Sequence, residues 1–288
     1  MLPRPRGIIF TPIMRAAWLA GMVLFLFPGE LLADDYNGTA SSNVVCREEL
    51  SNARREELTA KLRKITGLAE LTFDRDGFLR LPDKTTIGDS TIVGGRKIAG
   101  GSAIAGGSEM AGSESARALL ASAVNGHSVV VIEDASGRSD IVFCRVVPGK
   151  WTKTAADKPP VFVAQIDFAD FDQIVGDERA LEAFNVGWGL LHELDHVVSD
   201  SPDASALGET GECEAHINQM RRECNLPERA DYFFTVSPLA ANTTFMTRLV
   251  RLAFEEPARA SNKKKRYWLT WDANVVGGLE QSQVAALR

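Results

Sequence analysis

The chain has 288 residues, of which 45% are hydrophobic and 24% are charged, and its mean hydropathy is −0.08. These values are typical of a globular protein with one sizeable hydrophobic core or two small ones. The formal net charge of −6 argues against a general nucleic-acid-binding protein, so we expect no nucleic-acid partner.

Residues 1–33 have the pattern of a secretory signal peptide. Three arginines precede an apolar run over residues 16–27, and Leu31-Leu32-Ala33 follows. The run is shorter than the roughly 20 residues that a membrane span needs. We therefore predict cleavage after Ala33, a secreted or periplasmic protein, and no stable membrane span after cleavage. The alternative is an uncleaved N-terminal anchor, because leucine is not the small residue that a cleavage site favours at position 31.

The region 34–112 is predicted to hold a helix, a hairpin and a Gly-rich loop. Arg47 to Ile65 is rich in charged residues, Leu and Ala, which predicts an amphipathic helix. Residues 71–81 contain Asp76-Gly77 between two apolar runs, which indicates a hairpin. Gly-Gly pairs recur every six residues within residues 94–107. Three copies are too few for a solenoid, so we predict a packed or flexible loop, or a flap over a cleft.

The region 113–288 is predicted to form a single domain. Ser113 is placed to cap a helix, and residues 128–133, 140–147 and 160–167 have the composition of three strands. This small sheet directly precedes the central motif of the chain. Further on, we predict a helix over about residues 239–255 and a strand over residues 267–271.

The cysteines allow two arrangements. An even number of them in an exported protein permits two disulfides. Cys213 and Cys224 are eleven residues apart in one predicted helix, about 16 Å along its axis, too far to bond to each other. Each would therefore pair with Cys46 or Cys144. The alternative is four free thiols, of which the buried ones behave as small apolar side chains.

The central motif is His192-Glu193-Leu194-Asp195-His196. Residues four apart lie on one side of a helix, so both imidazoles can bind one metal ion. Glu193 can then deprotonate a metal-bound water. An apolar stripe supports the helix; its members are Leu181, Phe184, Trp188, Leu191 and Val198. Gly189 weakens the helix, and we expect it to give space to substrate or to another chain segment.

The motif can also occur by chance on a solvated, charged helix. Against this, the chain has four histidines, and three of them fall within residues 192–216. We therefore predict a Zn²⁺ site with His192 and His196 as ligands and Glu193 as general base. Asp195 is predicted to support a ligand or a neighbouring group from behind.

A catalytic zinc ion usually has three protein ligands and one open position. A second predicted helix, over about residues 209–224, offers Glu209, Glu212, Glu214 and His216 as the third ligand. The run from Glu212 to His216 resembles the Glu-x-x-Ala pattern on the second active-site helix of gluzincin peptidases. The resemblance implies that Glu212 is the third ligand. His216 departs from that pattern, which leaves it open as a supporting residue or as the ligand.

The run from Asn218 to Tyr232 is similar to NleD-like zinc peptidases and to related domains of Rhs-type toxins. Ile217 and Asn225 replace a Glu and a Gly of that pattern. The resemblance, over residues 187–232, implies a secreted or delivered zinc endopeptidase in which Tyr232 or Arg229 steadies the oxyanion. The alternative is that Arg229 pairs with Glu228 or Asp231 and that Tyr232 is simply packed.

These patterns predict an α+β, zincin-like fold, with a small β-sheet packed on a pair of active-site helices. The predicted function is that of an exported zinc-dependent metallopeptidase that acts on protein or peptide substrates. The first alternative is a catalytically inactive metal-binding or protein-interaction module on the same fold. A metal-stabilised structural protein and a zinc hydrolase of non-peptide amides are further alternatives.

Overall fold

The computed structural model describes residues 42–82, 112–149, 158–236, 248–256 and 264–278, and its architecture is α+β, as predicted. The elements in chain order are β1 (Val44–Cys46), α1 (Asn52–Thr66), β2 (Thr72–Phe73), β3 (Leu79–Arg80), α2 (Glu114–Asn125), β4 (Val129–Asp134), β5 (Cys144–Pro148), β6 (Val161–Ile166), α3 (Phe168–Asp172), β7 (Val175–Gly176), α4 (Glu178–Ala183), α5 (Val186–Ser199), α6 (Gly211–Glu223), β8 (Glu228–Arg229), β9 (Thr235–Val236), β10 (Leu249–Glu256) and β11 (Lys265–Asp272). Among these described residues, no helix is both long enough and apolar enough to cross a membrane.

The first two long helices begin and end for local reasons. Ser51 caps α1 by accepting a hydrogen bond from the Arg54 amide, and Gly67 ends the helix in the left-handed conformation. The helix therefore begins later than predicted. Ser113 caps α2 through the Ala116 amide, as its position in the sequence predicts. The predicted hairpin is present as β2 and β3.

A four-stranded sheet has the order β1-β4-β6-β5, in which β4 pairs in parallel with β1 and β6, and β5 is antiparallel to β6. The three strands predicted before the central motif are therefore confirmed. Residues of β1 and α1, from the predicted N-terminal region, pair with β4 and pack on α5. Their apolar side chains form one hydrophobic cluster with those of α2, α5 and α6.

The second sheet has five strands, in the order β7-β11-β10-β8, with β9 also paired to β10. The predicted helix over residues 239–255 is wrong where it is described, because β10 occupies residues 249–256. Val250, Leu252 and Phe254 are buried, and the residues between them are not, which is the period of a strand. Pairing with β11 along its whole length outweighs the moderate helix propensity of these residues.

Helix α5 contacts α1, α2, α6, β5 and β6. Gly189 faces another chain segment: a Cβ atom there would lie 3.1 Å from the Phe171 ring and 3.2 Å from Cys144 Sγ. The glycine therefore allows a close approach of β5 and α3 to the helix. Of the two uses expected for Gly189, the structure shows the approach of another chain segment, and Gly189 also lines a cavity next to His192 and Glu193.

All four cysteines are among the described residues, and all are free thiols. Other predictions fall on residues that the structure does not describe. These are the signal segment 1–33 and the Gly-rich segment 94–107, which both lie outside the described residues.

Candidate functional site

The histidine pair lies on α5, which begins where Asn185 accepts a hydrogen bond from the Gly187 amide. His192 and His196 are one turn apart, and their rings meet edge to face with centroids 4.8 Å apart. Both side chains are mostly buried, with 12% and 19% exposed. The helix therefore presents two imidazoles to the same small volume, as the motif predicts.

Asp203 and Cys213 complete a group with the two histidines that could hold a metal ion, with one donor atom from each residue and all four within 4.8 Å of one another. Asp203 Oδ1 lies 3.1 Å from His192 Nε2 and 3.4 Å from His196 Nε2. Ligand atoms at the usual zinc bond lengths are about 3.3 to 3.8 Å apart in a tetrahedral site. The two spacings to Asp203 Oδ1 are close to those values, so this carboxylate and both imidazoles fit a single ion; the four donors together lie within 4.8 Å of one another.

The turn after α5 places Asp203 beside the two histidines. Asp200 ends the helix in the left-handed conformation, and the Pro202 carbonyl accepts hydrogen bonds from the Glu212 and Cys213 amides, both at 3.2 Å. Gly211 has a φ of +77°, and a Cβ atom there would lie 2.7 Å from the Asp203 carbonyl carbon. Only glycine allows this approach, which holds Asp203 beside the first turn of α6.

Each imidazole has a hydrogen-bonding partner on the nitrogen that faces away from Asp203. His196 Nδ1 lies 2.7 Å from the Ser201 carbonyl oxygen, to which it can donate. His192 Nδ1 lies 3.4 Å from Cys213 Sγ, its hydrogen-bonding neighbour, and 3.5 Å from Glu214 Oε2. Histidine ligands in metal sites usually donate their second N–H to such an oxygen, which fixes the ring and leaves Nε2 free for the ion.

Glu214 is a buried carboxylate held between two arginines. Arg221 donates to one oxygen, and Arg229 Nη1 lies 3.1 Å from the other. Burial opposes its ionisation, but the two guanidinium groups outweigh burial, and the pKa of Glu214 lies well below its usual value. Glu214 therefore stays ionised and orients His192 from behind.

Asp195 is buried and accepts hydrogen bonds from the turn and from α6. The Ser201 hydroxyl donates to Oδ2, the Ser199 hydroxyl lies 2.9 Å from Oδ1, and His216 Nδ1 lies 2.9 Å from Oδ2. Burial raises the pKa of Asp195, but these bonds outweigh it, and the pKa lies below its usual value. Asp195 thus ties α5 to the Ser201 turn, whose carbonyl orients His196.

The group around Asp203 attracts positive charge. Burial alone would lower the pKa of the His196 imidazole, but Asp203 and the Cys213 thiol raise it to about 10. The pKa of Asp203 is correspondingly lowered, because both imidazoles stabilise its carboxylate more than burial destabilises it. Either protonated imidazoles or a bound divalent cation would neutralise the charge of the Asp203 carboxylate.

Glu193 lies beside this group in a cavity of about 320 Å³, which His192, Cys144 and Tyr232 also line. Its side chain is 4% exposed, and burial raises its pKa. A larger cavity, of about 490 Å³, lies between α1 and α4 and includes none of these residues. Of these two cavities, the smaller one is therefore the one that connects Glu193 with His192 of the group.

Tyr232 stacks on His192, with ring centroids 6.2 Å apart and planes 20° apart. Burial raises the pKa of its hydroxyl, and the Asp203 carboxylate raises it further, so Tyr232 remains a hydrogen-bond donor. The Arg229 guanidinium lies over the Tyr232 ring at 4.8 Å and bonds to the backbone carbonyls of Asp231 and Tyr232. Its carboxylate partner is Glu214, and Glu228 pairs with Arg222 instead.

The structure brings His192, His196, Glu193 and Tyr232 together, but Glu212 is exposed and lies outside the group. Of the other predicted candidates for the third ligand, Glu209 is exposed, His216 bonds to Asp195, and Glu214 lies behind His192. Asp203 and Cys213 were not predicted as ligands. The available signal for Asp203 was an acidic residue in the short turn after the motif, eleven residues beyond His192.

A comparison of the chain with protein-family models, with characterised proteins and with solved structures finds no match. The resemblance to gluzincin and NleD-like peptidases stays a prediction from the sequence. The geometry of the residues themselves therefore has to indicate the function.

Proposed function

We propose that the chain is an exported, zinc-dependent metallopeptidase with a zincin-like arrangement of α5 and α6. In this proposal His192, His196 and Asp203 hold the ion, and Glu193 is the general base. The observation that carries it is the convergence of two imidazole Nε2 atoms on one carboxylate oxygen, at 3.1 and 3.4 Å. Export is inferred from the pattern of residues 1–33.

The donor set supports zinc as the metal. Two imidazoles and a carboxylate are ligands that zinc accepts in hydrolytic sites. The Ser201 carbonyl and the Glu214 carboxylate are placed to take the second N–H of each imidazole. Such partners raise the basicity of histidine ligands and hold their rings in place.

Glu193 is suited to move a proton next to this group. A bound zinc ion polarises a substrate carbonyl and makes water acidic. Glu193 takes a proton from that water and passes it to the leaving amine. Its burial raises its pKa, which makes it a stronger base than an exposed glutamate. Tyr232, stacked on His192, donates a hydrogen bond to the oxyanion as it develops.

A polypeptide substrate fits the cavity beside Glu193. The rings of Phe143, Phe184 and Phe234 line it together with polar groups, and its volume of about 320 Å³ is enough for a substrate side chain. Asp203 is 38% exposed, so the group is open to solvent on the side of the turn.

The test compares the wild type with Glu193→Gln, Asp203→Asn and Glu212→Gln, using a denatured protein as substrate. We expect Glu193→Gln to keep its zinc and to lose about 100-fold or more of the hydrolysis rate. Asp203→Asn should lose zinc as well as activity. Glu212→Gln is the matched control on α6 and should change neither.

Two results would contradict the proposal. Equal hydrolysis by the wild type and Glu193→Gln would show that Glu193 is not the general base, and it would favour a metal-binding or interaction module without turnover. Loss of zinc in Glu212→Gln, with zinc retained in Asp203→Asn, would restore the ligand set that the sequence resemblance implies.

A further inference from the structure

Cys213 is the member of the metal-binding group that the proposed reaction does not use. It lies in the first turn of α6 and is fully buried. Its Sγ atom is 3.4 Å from His192 Nδ1 and 3.4 Å from the His192 carbonyl oxygen. The backbone amide of Cys213 is held by the Pro202 carbonyl, next to Asp203. The thiol is therefore fixed beside the ligands by the same turn that delivers the carboxylate.

With Cys213, the group offers four donors to one ion. Structural zinc sites are closed by four protein ligands, whereas catalytic sites have three and keep one position open. Two imidazoles, one carboxylate and one thiolate fill a tetrahedral site completely. In the same geometry, hydrolysis requires one of the four to leave.

The thiol is the donor best placed to leave. Asp203 Oδ1 lies next to Nε2 of both histidines, while Sγ lies next to Nδ1 of His192, on the other edge of that ring. The His192 carbonyl offers the thiol a second partner at 3.4 Å, to which S–H can donate when it is not on the metal. In the position that it occupies, Cys213 Sγ therefore already has a hydrogen-bonding partner other than an imidazole, the His192 carbonyl oxygen.

We propose that Cys213 Sγ is a fourth, displaceable ligand that closes the zinc site in the resting protein, so that the enzyme is latent. This inference rests on the proposed function. A thiol that coordinates a metal ion is deprotonated. On opening, the Cys213 thiolate would leave the ion and take a proton from the water molecule that replaces it, so one bond to zinc is exchanged for another and the proton comes from that water. No oxidation or reduction takes place.

The experiment uses the purified exported chain loaded with Co²⁺, whose bond to a thiolate gives a charge-transfer band in the near ultraviolet. The variants are Cys213→Ser and Cys224→Ser. Cys224 is the matched control because its Sγ donates to the Ile65 carbonyl, and it is not a member of the metal-binding group. We expect the band in the wild type and in Cys224→Ser, and its absence in Cys213→Ser at the same cobalt content.

The zinc-loaded proteins provide the second measurement. Cys213→Ser should hydrolyse a denatured protein about tenfold faster than the wild type, and Cys224→Ser should match the wild type. Cobalt binding by the wild type without the band would show that sulfur is not a ligand. The band without any gain in rate for Cys213→Ser would show that sulfur does not limit activity.

Two further outcomes are distinguishable. A folded wild type that binds neither cobalt nor zinc overturns the proposed function itself. Cys213→Ala is a second variant of the same residue, and it controls for a folding defect that is specific to Cys213→Ser. If both Cys213→Ser and Cys213→Ala keep the wild-type circular dichroism but lose the metal, then the site is a permanently closed structural one, and the latent enzyme is excluded.

Discussion

The two sides of helix α5 are built on different principles. On one side, Leu190, Leu191 and Leu194 are completely buried against α1, α2 and the four-stranded sheet. On the other side, His192 and His196 meet polar groups from the turn after the helix and from α6. One side is held by apolar contacts and the other by hydrogen bonds.

The two sides of α5 differ in how strictly the positions of their side chains are specified. Apolar burial is non-directional, and residues of similar volume replace one another at moderate cost. A buried polar group must find a partner at the right distance and angle, and each partner here comes from a separate segment. The polar side should therefore be sensitive to single atoms, and the apolar side to volume.

The largest effect is expected at Glu214, on the polar side. Glu214→Ala leaves Arg221 and Arg229 buried without their carboxylate, which should lower the free energy of unfolding by about 3 to 5 kcal/mol. It also removes the acceptor behind His192, so zinc affinity should fall by about tenfold or more. Denaturant unfolding and metal titration measure the two effects.

Glu212→Ala, two residues away, is the control for that measurement. Glu212 is exposed, so the substitution should change stability by less than about 0.5 kcal/mol and leave zinc affinity as it is. Similar losses of stability and zinc affinity in the two variants would mean that the pairing of Glu214 with the two buried arginines does not stabilise the fold.

On the apolar side, Leu194→Ala should lower the free energy of unfolding by about 2 to 4 kcal/mol, through lost burial and a residual cavity. The folded fraction should still bind zinc with unchanged affinity. Val198→Ala, on the same helix at 39% exposure, should cost less than about 0.5 kcal/mol. A fall in zinc affinity with Leu194→Ala would show that the two sides are coupled.

The sequence predicted the apolar side better than the polar one. Period-two and helical patterns located α2, β4, β5, β6 and α5, because those patterns report burial. Of the apolar stripe assigned to α5, however, Leu181 and Phe184 precede the helix, and Val198 is 39% exposed. The patterns did not place Asp203, since its role depends on a turn that bends back to α6. They also failed for β10, where pairing with β11 decides the structure. Long-range pairing and turn geometry are not encoded in local periodicity.

Asp170, on α3, holds the chain segment that leads into β5. Its Oδ2 accepts a hydrogen bond from the Phe143 amide at 3.0 Å, and Phe143 has a φ of +66°, an uncommon conformation for such a residue. This bond holds the segment whose next residue, Cys144, packs against Gly189. Burial raises the pKa of Asp170 to about 6, because its charged form is poorly solvated.

That shift predicts how stability depends on pH. The folded protein binds the Asp170 proton more tightly than the unfolded chain, so this group stabilises the fold at about pH 4. The contribution is lost as the pH rises to about 6. Relative to Asp170→Asn, the wild type should lose about 1 to 2 kcal/mol between pH 4 and pH 7. Denaturant unfolding at several pH values, with chelator present, measures the difference; a constant difference would contradict the expectation.

The smallest expected effect is a difference in zinc affinity between alanine variants of two glycines near the polar side, Gly211 and Gly208. Gly211 and Gly208 have φ values of +77° and +80°, so alanine meets similar backbone strain at both. At Gly211, however, the new Cβ atom would lie 2.3 Å from the Ala204 nitrogen, whereas at Gly208 nothing lies within 4 Å. Gly211→Ala must therefore push the Asp203 turn away from α6.

We expect Gly211→Ala to bind zinc about tenfold more weakly than Gly208→Ala, which corresponds to about 1.4 kcal/mol. Metal titration of the two folded variants gives this ratio free of the shared backbone strain. Equal affinities would mean that Asp203 reaches the histidines without the close approach of the turn to α6. In that case the polar side would tolerate displacement as readily as the apolar side tolerates a change of side chain.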